Sequence, residues 1–178
     1  MPFTNSIFWR SAMRRLFALL ITALLGCTAC TLPISQPSLE LVDRDITFTA
    51  LRQDPDRYMG RYLLLGGAIV AVRNSSAGSE LEVVQFATDR NGRITATDNS
   101  GGRFLVQVAT FSEPAVYQGR LVTLVGKVAG QVQARLDEID YLYPLLTAQE
   151  LHLWKPEESP DASRVRFGFG LGVGTVFH

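Results

Sequence analysis

One pattern occurs twice in this chain. "PDRYMGRYLLLGG" begins at Pro55 and "PAVYQGRLVTLVG" begins at Pro114, 59 residues later. Both fit P-x-x-Y-x-G-R-x-x-x-L-x-G, which sets Tyr58, Gly60, Arg61, Leu65 and Gly67 against Tyr117, Gly119, Arg120, Leu124 and Gly126. In each copy a proline ends the preceding segment, a glycine lets the backbone bend, and an apolar run follows. The two copies therefore read as turns that launch two strands lying side by side in one small sheet. Each Tyr is expected over an end of the structure. Each Arg is expected to lay its stem on apolar surface and keep its head in water. Gly67 and Gly126, six residues after their own arginines, read as equivalent bends in those strands. A symmetric ligand site is the alternative reading of the repeat.

The rest of the chain agrees with a sheet protein. "YLLLGGAIVAVRN", "ELEVVQFAT", "RFLVQVAT", "RLVTLVGKVAGQVQ" and "YLYPLLTAQELHLWK" are apolar or alternating runs separated by turn residues. In the second run, Glu80, Glu82 and Gln85 suggest an exposed side opposed by Leu81, Val83 and Phe86. The fourth run is expected to break at Gly126 and the fifth to split at Pro144. "DRNGRITATDNSGG" reads as a polar loop with a short hairpin at Asn91-Gly92. Short strands without a long helical pattern predict an all-β fold. The expectation is a small five-stranded, OB-like antiparallel barrel over residues 45–156, with a short lead-in helix that Asp45 would cap.

Both ends fall outside that barrel. Arg10, Arg14 and Arg15 precede the apolar run Leu16–Gly26, which is too short to span a bilayer and has the form of a signal peptide. It closes on Leu24, Leu25, Gly26 and Cys27, the order of a bacterial lipobox, with Cys27 as the lipidated residue and Cys30 as the weaker candidate. "MRRLFALLITALLGC", from Met13, is a complete signal by itself, so translation from Met1 or from Met13 are both open. After cleavage the chain has 14 basic and 17 acidic residues, a formal charge of −3. Such a balance gives neither a nucleic-acid footprint nor a polybasic patch, so acyl chains must provide the membrane attachment. Residues 27–44 read as a tether. Residues 157–178 form an irregular tail in which Phe167, Phe169, Leu171 and Val173 alternate with glycine.

Taken together, the lipobox, "Y-x-G-R…L-G-G-x-I", "GRFLVQVATFSEPAVYQGRLVTLVGKVAG" and "YLYPLLTAQELHLW" resemble the Slp (starvation lipoprotein) family of outer-membrane lipoproteins. The resemblance runs over about residues 20–155, and the tail departs from it. It implies an envelope component of stationary phase or stress, in the outer membrane and facing the periplasm, and it brings no catalytic residues. The residues themselves point the same way. His152, beside Trp154, reads as a packed end-of-strand residue. "LDEID" lacks the glycine and spacing of a calcium loop, and no G-x-S-x-G, H-E-x-x-H or phosphate loop occurs. No enzyme, metal or cofactor is expected. The barrel would bind an envelope protein or polymer. A purely structural, envelope-reinforcing lipoprotein is the alternative, and a periplasmic hydrolase a distant one.

Overall fold

The computed structural model describes residues 32–156. The expected signal peptide, the expected lipobox residues Leu24, Leu25, Gly26 and Cys27, Cys30, and the tail lie outside the described residues. The strands are β1 Tyr62–Ser75, β2 Gly78–Thr88, β3 Ile94–Ala96, β4 Arg103–Val108, β5 Leu121–Leu136 and β6 Ile139–Leu153. The helices are α1 Gln36–Leu41, α2 Phe48–Gln53 and α3 Pro114–Tyr117, with a 3-10 turn at Asp56–Tyr58.

Five strands close a ring: β1 pairs with β2, β2 with β4, β4 with β6, β6 with β5, and β5 with β1. Four of these pairings are antiparallel, and β4–β6 is parallel. The expectation of a wholly antiparallel arrangement therefore fails at one seam, for a topological reason. A closed ring with an odd number of strands cannot reverse direction at every step. The short β3 is a sixth strand, which pairs with the end of β2 through the expected hairpin. Asp89 Oδ1 accepts the Asn91 and Arg93 amides there, at 2.8 and 2.9 Å, and Gly92 takes φ +86°.

Neither long strand breaks where its sequence suggests. β5 runs through Gly126 with a register shift at Val125/Gly126, and β6 runs through Pro144, which stands opposite Gln131 next to a second shift at Val128/Gly130. Local bulges add the bend that a small ring needs without ending the strand.

The ring is filled. Leu63, Leu65, Ile69, Leu81, Val83, Phe104, Val106, Val122, Leu124, Val128 and Leu146 are buried together inside it. One end is plugged by α2, whose Phe48 meets Phe104 edge-on at 5.7 Å between ring centres. Thr47 caps α2 by accepting the Ala50 amide at 3.2 Å, so Thr47 does the work expected of Asp45.

Two further clusters cover the outside of the ring. Ala68, Phe86, Ile94, Leu121 and Trp154 form one. Phe86 thus lies on the face opposite Leu81 and Val83, as two-residue periodicity requires. Trp154 Nε1 donates to Thr123 Oγ1 at 2.9 Å, and that hydroxyl donates to the Gly92 carbonyl at 2.7 Å. His152 stacks edge-on against Trp154, at 4.9 Å. The second cluster joins Ile34 and Leu39 to Val125. Residues 33–42, assigned above to the tether, are therefore part of the folded body: Val42 bridges to Tyr62, and Ser35 is held by Glu150.

Candidate functional site

The repeated residues build two equivalent turns. Met59 (φ −50°, ψ 133°) with Gly60 (φ +81°), and Gln118 (φ −63°, ψ 133°) with Gly119 (φ +81°), both have type II geometry. The Arg61 amide donates to the Tyr58 carbonyl at 3.0 Å, and the Arg120 amide donates to that of Tyr117 at 3.1 Å. Each turn then reaches across to the other copy's strand. Gly60 N–H donates to Val128 O at 2.9 Å, and Gly119 N–H donates to Ile69 O at 2.8 Å. Val128 N–H returns to Arg61 O at 2.8 Å, and Ile69 N–H returns to Arg120 O at 3.0 Å.

The strand register completes a local two-fold relation between β1 and β5. Leu65 of one copy faces Leu124 of the other, and Leu63↔Gly126 mirrors Gly67↔Val122. Gly67 and Gly126 therefore sit on neighbouring strands without facing each other. Tyr58 and Tyr117 pack on the core. The arginines differ: Arg61 donates to Asp43, whereas Arg120 grips the Trp154 carbonyl through Nε at 2.8 Å and through Nη2. The repeat organises the sheet, joining β1 and β5 through its two turns.

The concave feature with a built polar end lies on the outer face of the ring. A groove of about 800 Å³ runs between β1, β2 and α3. Val70, Val84, Pro114 and Ala115 form its apolar wall, and Glu82, Arg103 and Gln118 form its polar part. Glu82 points outward from β2, on the side expected to be exposed, yet it is only 6% accessible. Its carboxylate accepts Arg103 Nη1 at 2.7 Å, Arg73 Nη2 at 3.2 Å and the Tyr143 hydroxyl at 3.2 Å. Register explains the gathering. Glu82 stands opposite Ala71 in β1 and Leu105 in β4, so long side chains from both neighbouring strands close over it. Tyr141 stacks on Tyr143 at 4.6 Å, and its hydroxyl accepts the Arg103 amide at 2.9 Å.

Burial raises the Tyr143 pKa above its usual value, and the Glu82 charge and hydrogen bond add to the effect. Tyr143 thus stays a neutral donor to Glu82. Elsewhere, the Arg61 hydrogen bond and the Asp45 amide pull the Asp43 carboxyl below its ordinary range. At Glu150, burial pushes the pKa up, but the hydrogen bonds of Ser35 and Ser38 outweigh it and leave a lowered value. Among the described residues no group of three His, Cys, Asp or Glu is placed to hold a metal ion. "LDEID" forms the tip of the β5–β6 hairpin, with Asp137 at φ +55°. No helix among the described residues is long and apolar enough to cross a membrane.

Sequence reasoning missed the groove and its polar end. Both depend on which residues of three separate strands stand in register, and only Glu82 had drawn attention as a member of an exposed face.

The fold and the outward groove define a small, mostly β domain. The family model for the outer membrane lipoprotein Slp family matches residues 24–171, and the chain belongs to that family of outer-membrane lipoproteins. It is 30% identical over 100 residues to the uncharacterized lipoprotein YeaY of Escherichia coli K12, covering 56% of this chain and 52% of that one. It is 23% identical over 127 residues to the outer membrane protein Slp of the same organism, covering 71% and 68%. The match thus spans about half the length of YeaY and two thirds of Slp. Among solved structures, a mitochondrial single-stranded DNA binding protein from S. cerevisiae aligns over 53% of this chain with 18% identity and a TM-score of 0.28.

Proposed function

We propose that this protein is a non-catalytic envelope module, an OB-like barrel anchored through Cys27 and facing the periplasm, that binds an envelope protein or polymer through the outer groove. The observation that carries the reading is the contrast between the filled ring and the open groove. The interior is packed with apolar side chains, which favours recognition on the outside. There an apolar wall adjoins a buried, fully paired carboxylate. Few precisely placed polar groups beside apolar surface are the usual make-up of a recognition site. A role in stationary phase or stress accords with the family resemblance.

The spacing in the sequence accords with a membrane-proximal position. Leu32, the first described residue, stands five positions after Cys27, and so short a lead spans at most roughly 20 Å. Co-sedimentation of the purified chain with isolated peptidoglycan and with outer-membrane fragments tests the binding. Retention should depend on the groove and fall in Ala115→Glu. Equal retention of that variant and wild type would remove the groove from the proposal.

A further inference from the structure

We propose that the groove is occupied in the resting protein by the chain's own tail, with Phe167, Phe169, Leu171 and Val173 seated against Val70, Val84 and Ala115. The inference rests on the binding reading above and adds a regulatory element to the same site.

Three observations carry it. The first is where the described chain ends. Trp154 N–H donates to Leu121 O at 2.9 Å, and the Trp154 carbonyl is gripped by Arg120. Arg120 directly follows Gln118 and Gly119, which line the groove. The tail therefore departs beside the groove's α3 end. Ten residues separate Pro156 from Phe167, a span of up to roughly 35 Å, so the segment is long enough to reach the groove.

The second observation is charge. Glu82 is already matched by Arg73, Arg103 and Tyr143, so the groove presents no unpaired buried charge. It suits a neutral, apolar occupant, and residues 167–174, "FGFGLGVG", contain no charged side chain.

The third observation is shape. In an extended chain, alternate residues point to one side, so the two Phe, the Leu and the Val form one apolar stripe. The glycines leave the opposite side thin. They also make ordering of the tail costly in conformational entropy, so the docked state is held loosely. Tethering gives an effective concentration in the millimolar range, which keeps a weak contact occupied while leaving it displaceable by a tighter ligand.

The test uses the full chain in bacterial cells, with the photo-cross-linker p-benzoylphenylalanine at position 169. Irradiation, purification and peptide mapping should join position 169 to residues 69–71, 84 or 114–119, in a product of monomer mass. Ala115→Glu alters an exposed groove residue, and it should cut that cross-link several-fold while the melting temperature is unchanged. If the variant melts early, Gln118→Trp replaces it. Cross-links to a second copy, to lipid or to another region of the domain would overturn the proposal, and so would absence of any cross-link to the groove. A partner bound in the groove gives an adduct of higher mass, so failure of the tail proposal is distinct from failure of the binding reading.

Discussion

Replacing Gly60 and Gly119 separately by Ala should cost nearly the same, because the two turns have one geometry. Both glycines have φ +81°. A Cβ at Gly119 meets nothing within 4 Å, and one at Gly60 meets only Lys127 Cε at 3.9 Å. Packing therefore contributes almost nothing, and the cost is the left-handed backbone. That strain is about 1–2 kcal/mol. Ala also narrows the unfolded ensemble, which offsets about 0.5 kcal/mol. The net loss is about 1 kcal/mol at each site, a fall in melting temperature of about 3–6 °C for a domain of this size. Gly67→Ala should behave differently. Its Cβ would stand 2.0 Å from Val84 O and 2.8 Å from Val83 Cγ1, so β1 and β2 must part. We expect a loss above about 3 kcal/mol there. At Gly126 the neighbours are side chains of Leu124 and Leu146 at 3.0–3.1 Å, which can move, and about 1–2 kcal/mol is expected. Urea and thermal melts of the chain from Thr28 onward can follow Trp154, its single tryptophan. A difference above about 1 kcal/mol between Gly60→Ala and Gly119→Ala, or no loss at either, would refute the matched-turn argument.

Other expectations follow from single contacts. Glu82→Ala should destabilise by about 2–3 kcal/mol in denaturant melts, because it strands the Tyr143 hydroxyl and a half-buried Arg103, whose partial exposure keeps the loss below that of a fully buried pair. Thr123→Val should cost about 1–3 kcal/mol by orphaning Trp154 Nε1 and the Gly92 carbonyl, with a change in Trp154 emission. Asp43 and Glu150 have lowered folded-state pKa values, so their stabilisation is complete above the unfolded values of 3.8 and 4.5 and disappears as pH falls through the folded ones. Asp43→Asn and Glu150→Gln should therefore flatten the acid limb of a stability–pH curve and lower the plateau near neutral pH. Cys27→Ser should leave an unprocessed precursor without acyl label, whereas Cys30→Ser should process normally.

Much of the ring was legible because strand signals are local. The five apolar runs became β1, β2, β4, β5 and β6, and the repeat foretold that β1 and β5 are neighbours. Other features escaped because they depend on contacts distant in sequence. Nothing in "QPSLEL" announces a helix whose Leu39 is buried near Val125, so residues 33–42 looked like linker. Pro144 and Gly126 carry strong local breaking tendencies, but pairing with β5 carries β6 through Pro144, and pairing with β1 and β6 carries β5 through Gly126, with bulges close to both. Glu82 looked exposed because its strand alternates cleanly, and two arginines and a tyrosine from other strands reversed that.

If the groove beside α3 receives an envelope partner and the tail occupies it at rest, a photo-cross-linker at Gln118 should distinguish, in cells, the full chain from one ending at Pro156. The full chain should give mainly a self-adduct of monomer mass. The shortened chain should give a discrete adduct of higher mass, its yield several-fold above that of the full chain. No higher-mass adduct from either form would remove partner binding from the groove, and equal yields from both would remove the tail from it.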